Sequence, residues 1–484
     1  MTAMNQNSKA LNLPPGGKPR PWSLRGAAFL FLCLVCFQIV YYYNAFYAVA
    51  FVGIAAFIAF GFFTTPLFNF FLYYATSFVR GIPIPGFPLS LNQVFGLSLL
   101  VSWGFWMLRN RTLRPQGRIA TVTALMAVFY GVSAITGEQF RQGAETLRYV
   151  FLYYLVAIVL ASTLRGPKEL QRLCWIVVVL TFVQALIGAA EVVTQRDLFI
   201  QSTATFGGRF RINGTAANSI HYGFNSIYAF PFAYYLVAES PGPARKLLAL
   251  VLGLFINFIA LFTLNRQTFV LVAVELILAV WLFRSVFSRF LMLLIIVAGL
   301  VALPFAFKIV VERFGTLAAL EADWSYRLRR DSFLLAMEMV RQHPVFGIGL
   351  GSFPTGWWDY RVEGLWAAQY RQFEVLYPDF GYVQILAETG LAGLVLSLCF
   401  FVYMLRRAWR VRKEALRTEN LRLLNFSGFL LTAFIVFLLA NFIQDTLMYL
   451  RVWMIFGLFH LIERENFFDE EGASEPPRVE AGAT

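Results

Sequence analysis

Stretches of about 17–25 apolar residues, each long enough to cross a hydrocarbon core of about 30 Å, recur from residue 26 to residue 463. They fall at 26–43, 46–63, 91–108, 119–136, 148–164, 170–192, 215–238, 245–264, 267–283, 288–307, 381–405, 424–442 and 449–463, with 64–79 a further candidate. Only 14% of residues are charged and 59% are apolar. A soluble domain carries roughly 25% charged residues, so this chain lacks the polar surface to face water all round. The expected fold is an all-α polytopic membrane protein with 12–14 transmembrane helices. Polar and basic residues precede the run at Gly26–Tyr43, and Ala48-Val49-Ala50 resembles a cleavage site. The apolar run continues through Phe63, which favours an uncleaved anchor over a signal peptide.

Basic residues beside the spans set the orientation. Alternate connections are dense in charge: Lys18/Arg20/Arg25, Arg109/Arg111/Arg114/Arg118, Arg165/Lys168/Arg172, Arg245/Lys246, Arg284/Arg289 and the run from Arg406 to Arg417. This places both termini in the cytoplasm and makes the span count even. The expected division is a cytoplasmic tail at 1–25, transmembrane helices over 26–307, a large periplasmic loop at 308–380, C-terminal transmembrane helices over 381–463, and a disordered cytoplasmic tail at 464–484. The other outer connections are 137–147, 193–214 and the turn near Arg266. The loop is too long for a connector, and a helical stretch is expected at 320–342.

Outer connections should be poor in Lys and Arg, yet they hold Arg141, Arg196, Arg209, Arg211, Arg266, Arg313, Arg327, Arg329, Arg330, Arg341, Arg361 and Arg371. Arg outnumbers Lys 34 to 6 in the whole chain. That bias explains the choice of Arg but not its location. A guanidinium offers fixed bidentate geometry to phosphate and stays charged when partly desolvated. Arg266 lies between two apolar stretches near a membrane edge, where a cation is costly and usually functional; snorkelling to headgroups is the plainer alternative. The same loop carries Trp357, Trp358, Tyr360, Trp366, Tyr370, Phe373 and Tyr377, which suit stacking on sugars or an interfacial belt. Together, arginines and aromatics suggest a ligand with pyrophosphate and glycan parts.

Three stretches go beyond composition: Arg209-Phe-Arg211-Ile-Asn213-Gly214-Thr-Ala-Ala-Asn218; Arg327-Leu-Arg329-Arg330 followed by His343-Pro344-Val-Phe-Gly347-Ile-Gly349-Leu-Gly351-Ser-Phe353; and Asp379-Phe-Gly-Tyr382-Val-Gln384-Ile-Leu-Ala-Glu388-Thr-Gly390-Leu-Ala-Gly393. The second and third resemble the paired signature of the O-antigen ligase and polymerase superfamily, a glycine-rich element before a large loop and an Ala-Glu-Thr-Gly element after it. The first resembles that family's Arg-Gly-Asn element, and Leu264-Asn265-Arg266 falls where its Ser-Arg pair falls. The resemblance covers residues from about 90 to 460. It implies a GT-C-like glycosyltransferase that needs no cofactor or metal, with undecaprenyl-pyrophosphate-linked oligosaccharide as donor. An acceptor hydroxyl attacks the anomeric carbon and lipid pyrophosphate leaves.

On that reading Arg211 and Arg266 act in catalysis, and Arg209, Arg327, Arg329 and Arg330 bind pyrophosphate. Trp357, Trp358, Tyr360 and Trp366 bind glycan. The family's frequent histidine falls on Asp379 and its neighbouring Asn on Phe380. Asp379 becomes the candidate base, with pairing to an arginine as the structural alternative; Glu363 and Glu374 are less well anchored. Glu388 reads as structural, and Gly347, Gly349 and Gly351 as permitting a tight backbone path. His343 reads as shaping the turn, His221 as polar packing and His460 as uninvolved. Cys33, Cys36, Cys174 and Cys399 read as small core residues, since none pairs with a His at metal-ligand spacing.

Three functions compete. A polymerase would join repeat units at the periplasmic face of the bacterial inner membrane, for capsule, exopolysaccharide or O-antigen. A ligase would move finished glycan to lipid A-core. A transporter or flippase would also carry a cationic cavity, but with mid-membrane charges and symmetric repeats. Expected partners are the lipid-linked oligosaccharide and membrane lipids, with a chain-length regulator a further candidate and no nucleic acid.

Overall fold

A computed structural model describes residues 65–78, 91–110, 117–198, 205–206, 209–216, 218–283, 324–360, 380–444, 449–464 and 467–468, all in one compact unit. The spans expected at 26–43, 46–63 and 288–307 lie outside the described residues. The helices are α1 (Pro66–Ser77), α2 (Leu91–Asn110), α3 (Gly117–Thr136), α4 (Phe140–Thr163), α5 (Pro167–Thr194), α6 (Ser219–Ile227), α7 (Phe230–Glu239), α8 (Pro243–Leu261), α9 (Arg266–Leu282), α10 (Trp324–Gln342), α11 (Phe353–Gly356), α12 (Gly381–Arg417), α13 (Leu421–Asn441) and α14 (Leu450–Phe459). Strands β1 (Thr205–Phe206) and β2 (Arg209–Phe210) form one small antiparallel ladder between α5 and α6.

Among the described residues, seven helices are long and apolar enough to cross a membrane: α2, α3, α4, α5, α8, α12 and α13. The chain is thus an all-α polytopic membrane protein. Large apolar side chains such as Leu108, Val128, Val193 and Phe258 stand exposed on these helices, as they must where lipid is the solvent. Helix α13 is the central one: 78% of its apolar window is buried, against 33% for α2 and α3. It packs on α12, α9, α7 and α14, while α14 lies along α4 and α10 along α12.

Local chemistry shifts some expected boundaries. The span expected at 215–238 is two helices, broken at Tyr228–Ala229. Pro231 has no N–H for an i−4 bond and sits instead in the first turn of α7. The connection expected at 137–147 shortens to Gly137–Gln139, because α4 already begins at Phe140. Helix α12 runs well past 405, to Arg417.

The decisive joint lies inside α12. Gly390 has φ +65° and breaks the helix. A break leaves backbone groups without partners, and the segment after α10 supplies them. The N–H groups of Ile348 and Gly349 donate to the carbonyls of Ala387 (3.1 Å) and Glu388 (2.8 Å). Those of Leu391 and Ala392 donate to the carbonyls of Pro344 (2.9 Å) and Val345 (3.0 Å). The α3–α4 corner closes the other side, with Glu138 N–H donating to the Ile348 carbonyl at 2.9 Å and Leu350 N–H to Ser133 Oγ at 3.1 Å. A side chain on Gly390 would meet the Val345 carbonyl at 2.3 Å, and one on Gly349 (φ +102°) the Gly137 Cα at 2.1 Å. The glycines therefore serve a tight backbone path. Beneath the joint, Leu335, Ala336 and Met339 of α10 pack on Ile348, Phe353, Trp357, Tyr360 and Ala387.

Candidate active site

The arginines expected to act together start from a buried carboxylate that sequence reading passed over. Glu191, near the end of α5, is fully buried. Its Oε2 accepts the N–H groups of Asn213 (3.0 Å) and Gly214 (2.8 Å), and its Oε1 that of Leu198 (3.3 Å). Asn213 Nδ2 donates to Asp197 at 3.0 Å. These bonds fix the loop after β2, and Arg211 Nε then reaches the Thr263 carbonyl at 2.9 Å. Thr263 belongs to the turn that starts α9: Leu264 is left-handed (φ +53°), Asn265 caps the helix through Gln267 N–H, and Arg266 is its first residue. One chain of contacts thus joins the Arg209–Asn218 stretch to Arg266.

Arg329 of α10 lies within electrostatic reach of Arg211. Burial first, and then repulsion from Arg329, hold the Arg211 guanidinium below the usual arginine range; both groups remain cationic, because an arginine stays protonated in proteins. Among the described residues Arg211 has no carboxylate partner; its bond is to a carbonyl. Like charges near a helix N-terminus favour a bound anion. Arg330 differs: its Nε and Nη2 hold the buried carboxylate of Asp331, at 3.1 and 3.0 Å.

The aromatic candidates separate from this centre. Trp357 and Tyr360 are buried, at 2% and 6% exposure, in the cluster under α10. With no ring face open, they brace the site and do not offer the sugar-stacking surface expected of them. Tyr360 donates to Glu138 (2.9 Å), which His343 Nε2 also meets at 3.1 Å. Burial and this bond push the Tyr360 phenol well up, so it remains a donor. That group lies at the far end of α10, about 20 Å along the helix from Arg329 at 1.5 Å per residue. Arg209 contributes backbone to β2, and Trp358 backbone to a 3-10 turn; their side chains, with Asp379 and Trp366, lie outside the described residues. Glu388 is structural: its Oε1 accepts Phe353 N–H and Gln384 Nε2, both at 3.2 Å.

A family model described as O-antigen ligase matches residues 248–398, a little under a third of the chain. Over those residues the chain is similar to the O-antigen ligase family. That similarity, with the membrane-spanning helices, supports a membrane protein of the polysaccharide ligase or polymerase kind. The family match begins in α8 and ends in α12. It takes in Arg266, α10 and the broken helix, and leaves Arg211 and Glu191 outside. No curated protein matches the chain. Among the described residues, no group of three or more His, Cys, Asp or Glu side chains could hold a metal ion.

Besides Glu191, sequence reading missed Glu138, Tyr449 and Arg451. A lone acid in the apolar run at 170–192, and a lone Arg in that at 449–463, were the available signals. Glu191→Ala is expected to strand the Asn213 and Gly214 donors at about 1–3 kcal/mol each. The thermal midpoint of the detergent-solubilised protein should fall clearly below wild type.

Proposed function

We propose that this enzyme polymerises undecaprenyl-pyrophosphate-linked repeat units at the periplasmic face of the bacterial inner membrane. The observation that carries the reading is the bond of Arg211 to the Thr263 carbonyl in the turn that starts α9 at Arg266, with Arg329 near enough to repel Arg211. As the anomeric carbon parts from its leaving oxygen, charge grows on the pyrophosphate. Cations already in place stabilise that charge without reorganising. The guanidiniums supply the positive charge, so the reading requires no divalent ion. The acceptor hydroxyl must lose a proton as it attacks, a role the family pattern puts on Asp379. Both termini lie in the cytoplasm, with 308–380 on the periplasmic side where donor and acceptor meet.

The family description favours a second reading, ligation of finished glycan to lipid A-core. Purified protein, undecaprenyl-pyrophosphate repeat units and a chelator separate the two. Lengthening without a second acceptor is the expected outcome. Product only on addition of lipid A-core would make the enzyme a ligase, and no product in either case would sink both readings.

A further inference from the structure

Past the apolar part of its span, α12 continues as a helix to Arg417. One side of it keeps its register through the change. Val395 and Val402, seven residues apart and roughly half exposed, belong to the lipid-facing side. Steps of four, four, three and four residues then reach Arg406, Arg410, Lys413 and Arg417, all exposed. At 3.6 residues per turn such steps return to one side of a helix, so the cations stand in line with the valines. They form a row about 16 Å long.

A tryptophan pair marks the level at which the row begins. Trp409 of α12 packs on the exposed Trp281 near the end of α9, with ring centroids 5.8 Å apart. Tryptophans gather where hydrocarbon gives way to headgroups, and Arg406 and Arg410 lie within about 5 Å of Trp409 along the helix axis. The first two cations are therefore at headgroup level. Snorkelling accounts for one or two cations at that level; it leaves Lys413 and Arg417 in the same register unexplained. Among the described residues none of the four makes an ion pair, although Glu414 lies next in sequence to Lys413. Their charge is thus left for something outside the protein.

We propose that this side of α12 binds the headgroups of anionic phospholipids in the leaflet beside the α12–α13 turn. On the orientation given above that is the cytoplasmic leaflet, and the interaction does not depend on the polymerase reading. A basic residue near an anionic surface adds about a fivefold preference, and cations set back from it still act within a screening length of about 8 Å. The rival occupant is the acidic sequence after Phe468. Phe468 packs on Phe426 of α13, ring centroids 5.1 Å apart, and Asp469, Glu470 and Glu471 follow it. Lipid is favoured because the cations prolong the side of the helix that already faces lipid.

The test titrates the full-length purified protein in detergent with pyrene-labelled phosphatidylglycerol or phosphatidylcholine. Energy transfer from tryptophan reports binding, with Trp281 and Trp409 beside the row. Half-saturation by phosphatidylglycerol should come at about tenfold lower concentration or less. R410Q and K413Q should each raise that concentration about fivefold and leave the phosphatidylcholine value unchanged. The fourfold variant R406Q/R410Q/K413Q/R417Q should bring the two lipids together, as should about 0.5 M salt with the wild type. Thermal midpoints at the wild-type value show that the variants fold, and the single variants decide the matter if the fourfold one does not. Equal binding of both lipids by the wild type overturns the proposal, as does a preference that the fourfold variant retains. So does phosphatidylglycerol binding that appears only when the chain is cut after Phe468, since the acidic tail then holds the face.

Discussion

Replacing Arg266 with alanine is expected to lower glycan transfer by about a thousandfold, the scale on which preorganised donors and arginine fingers act. The residue opens α9 directly after its Asn265 cap, so its position is set by the helix. Truncation removes a cation from a centre where Arg211 and Arg329 already repel each other. The loss should appear in kcat, and the thermal midpoint measured alongside separates it from a loss of folded protein. R266K should recover only part of the rate, since an ammonium lacks the planar fork that meets two phosphate oxygens. Initial rates of lipid pyrophosphate release from purified protein decide the matter. Wild-type rates in R266A would remove Arg266 from the mechanism.

The second large effect is on folding. Gly349→Ala should leave almost no folded protein in the membrane. Its φ of +102° is closed to a side chain at a cost of order 1–3 kcal/mol. The added carbon would also lie 2.1 Å from the Gly137 Cα, a backbone atom that cannot swing aside. Separating those chains would pull Gly349 N–H from the Glu388 carbonyl and Glu138 N–H from the Ile348 carbonyl, each left unmade at about 1–3 kcal/mol if buried. The total approaches the whole stability of a typical domain. Gel filtration of detergent extracts checks it: a monodisperse G349A peak at wild-type yield would show that the joint tolerates opening.

Much of this architecture was legible because lipid makes apolar length informative. The helices at 91–110, 117–136 and 421–441 lie where the runs put them. The broken segment at Tyr228–Ala229 was harder, since its apolar content is continuous and only Pro231 marks the break. At the site, Arg211 and Arg266 stood out by their cost near lipid and their motifs, and the Thr263 carbonyl joins the two segments. Trp357 and Tyr360 could not be sorted, because a stacking ring and a buried brace have the same composition; burial alone separates them. Glu191 and Tyr449 act through partners 22 and 228 residues away in sequence. Contacts at such separations leave no local spacing to read.

The broken helix also bears on how such enzymes diversify. Tyr360 is tied to Glu138, and Phe380, which begins α12, packs its ring 6.3 Å from that of Phe333 in α10. Both ends of the intervening stretch are thus anchored to parts that already hold each other through the joint. Closing a stretch between fixed ends costs only about 0.6 kcal/mol more for each doubling of its length. Insertions, deletions or wholesale exchange between Tyr360 and Phe380 should therefore cost little stability.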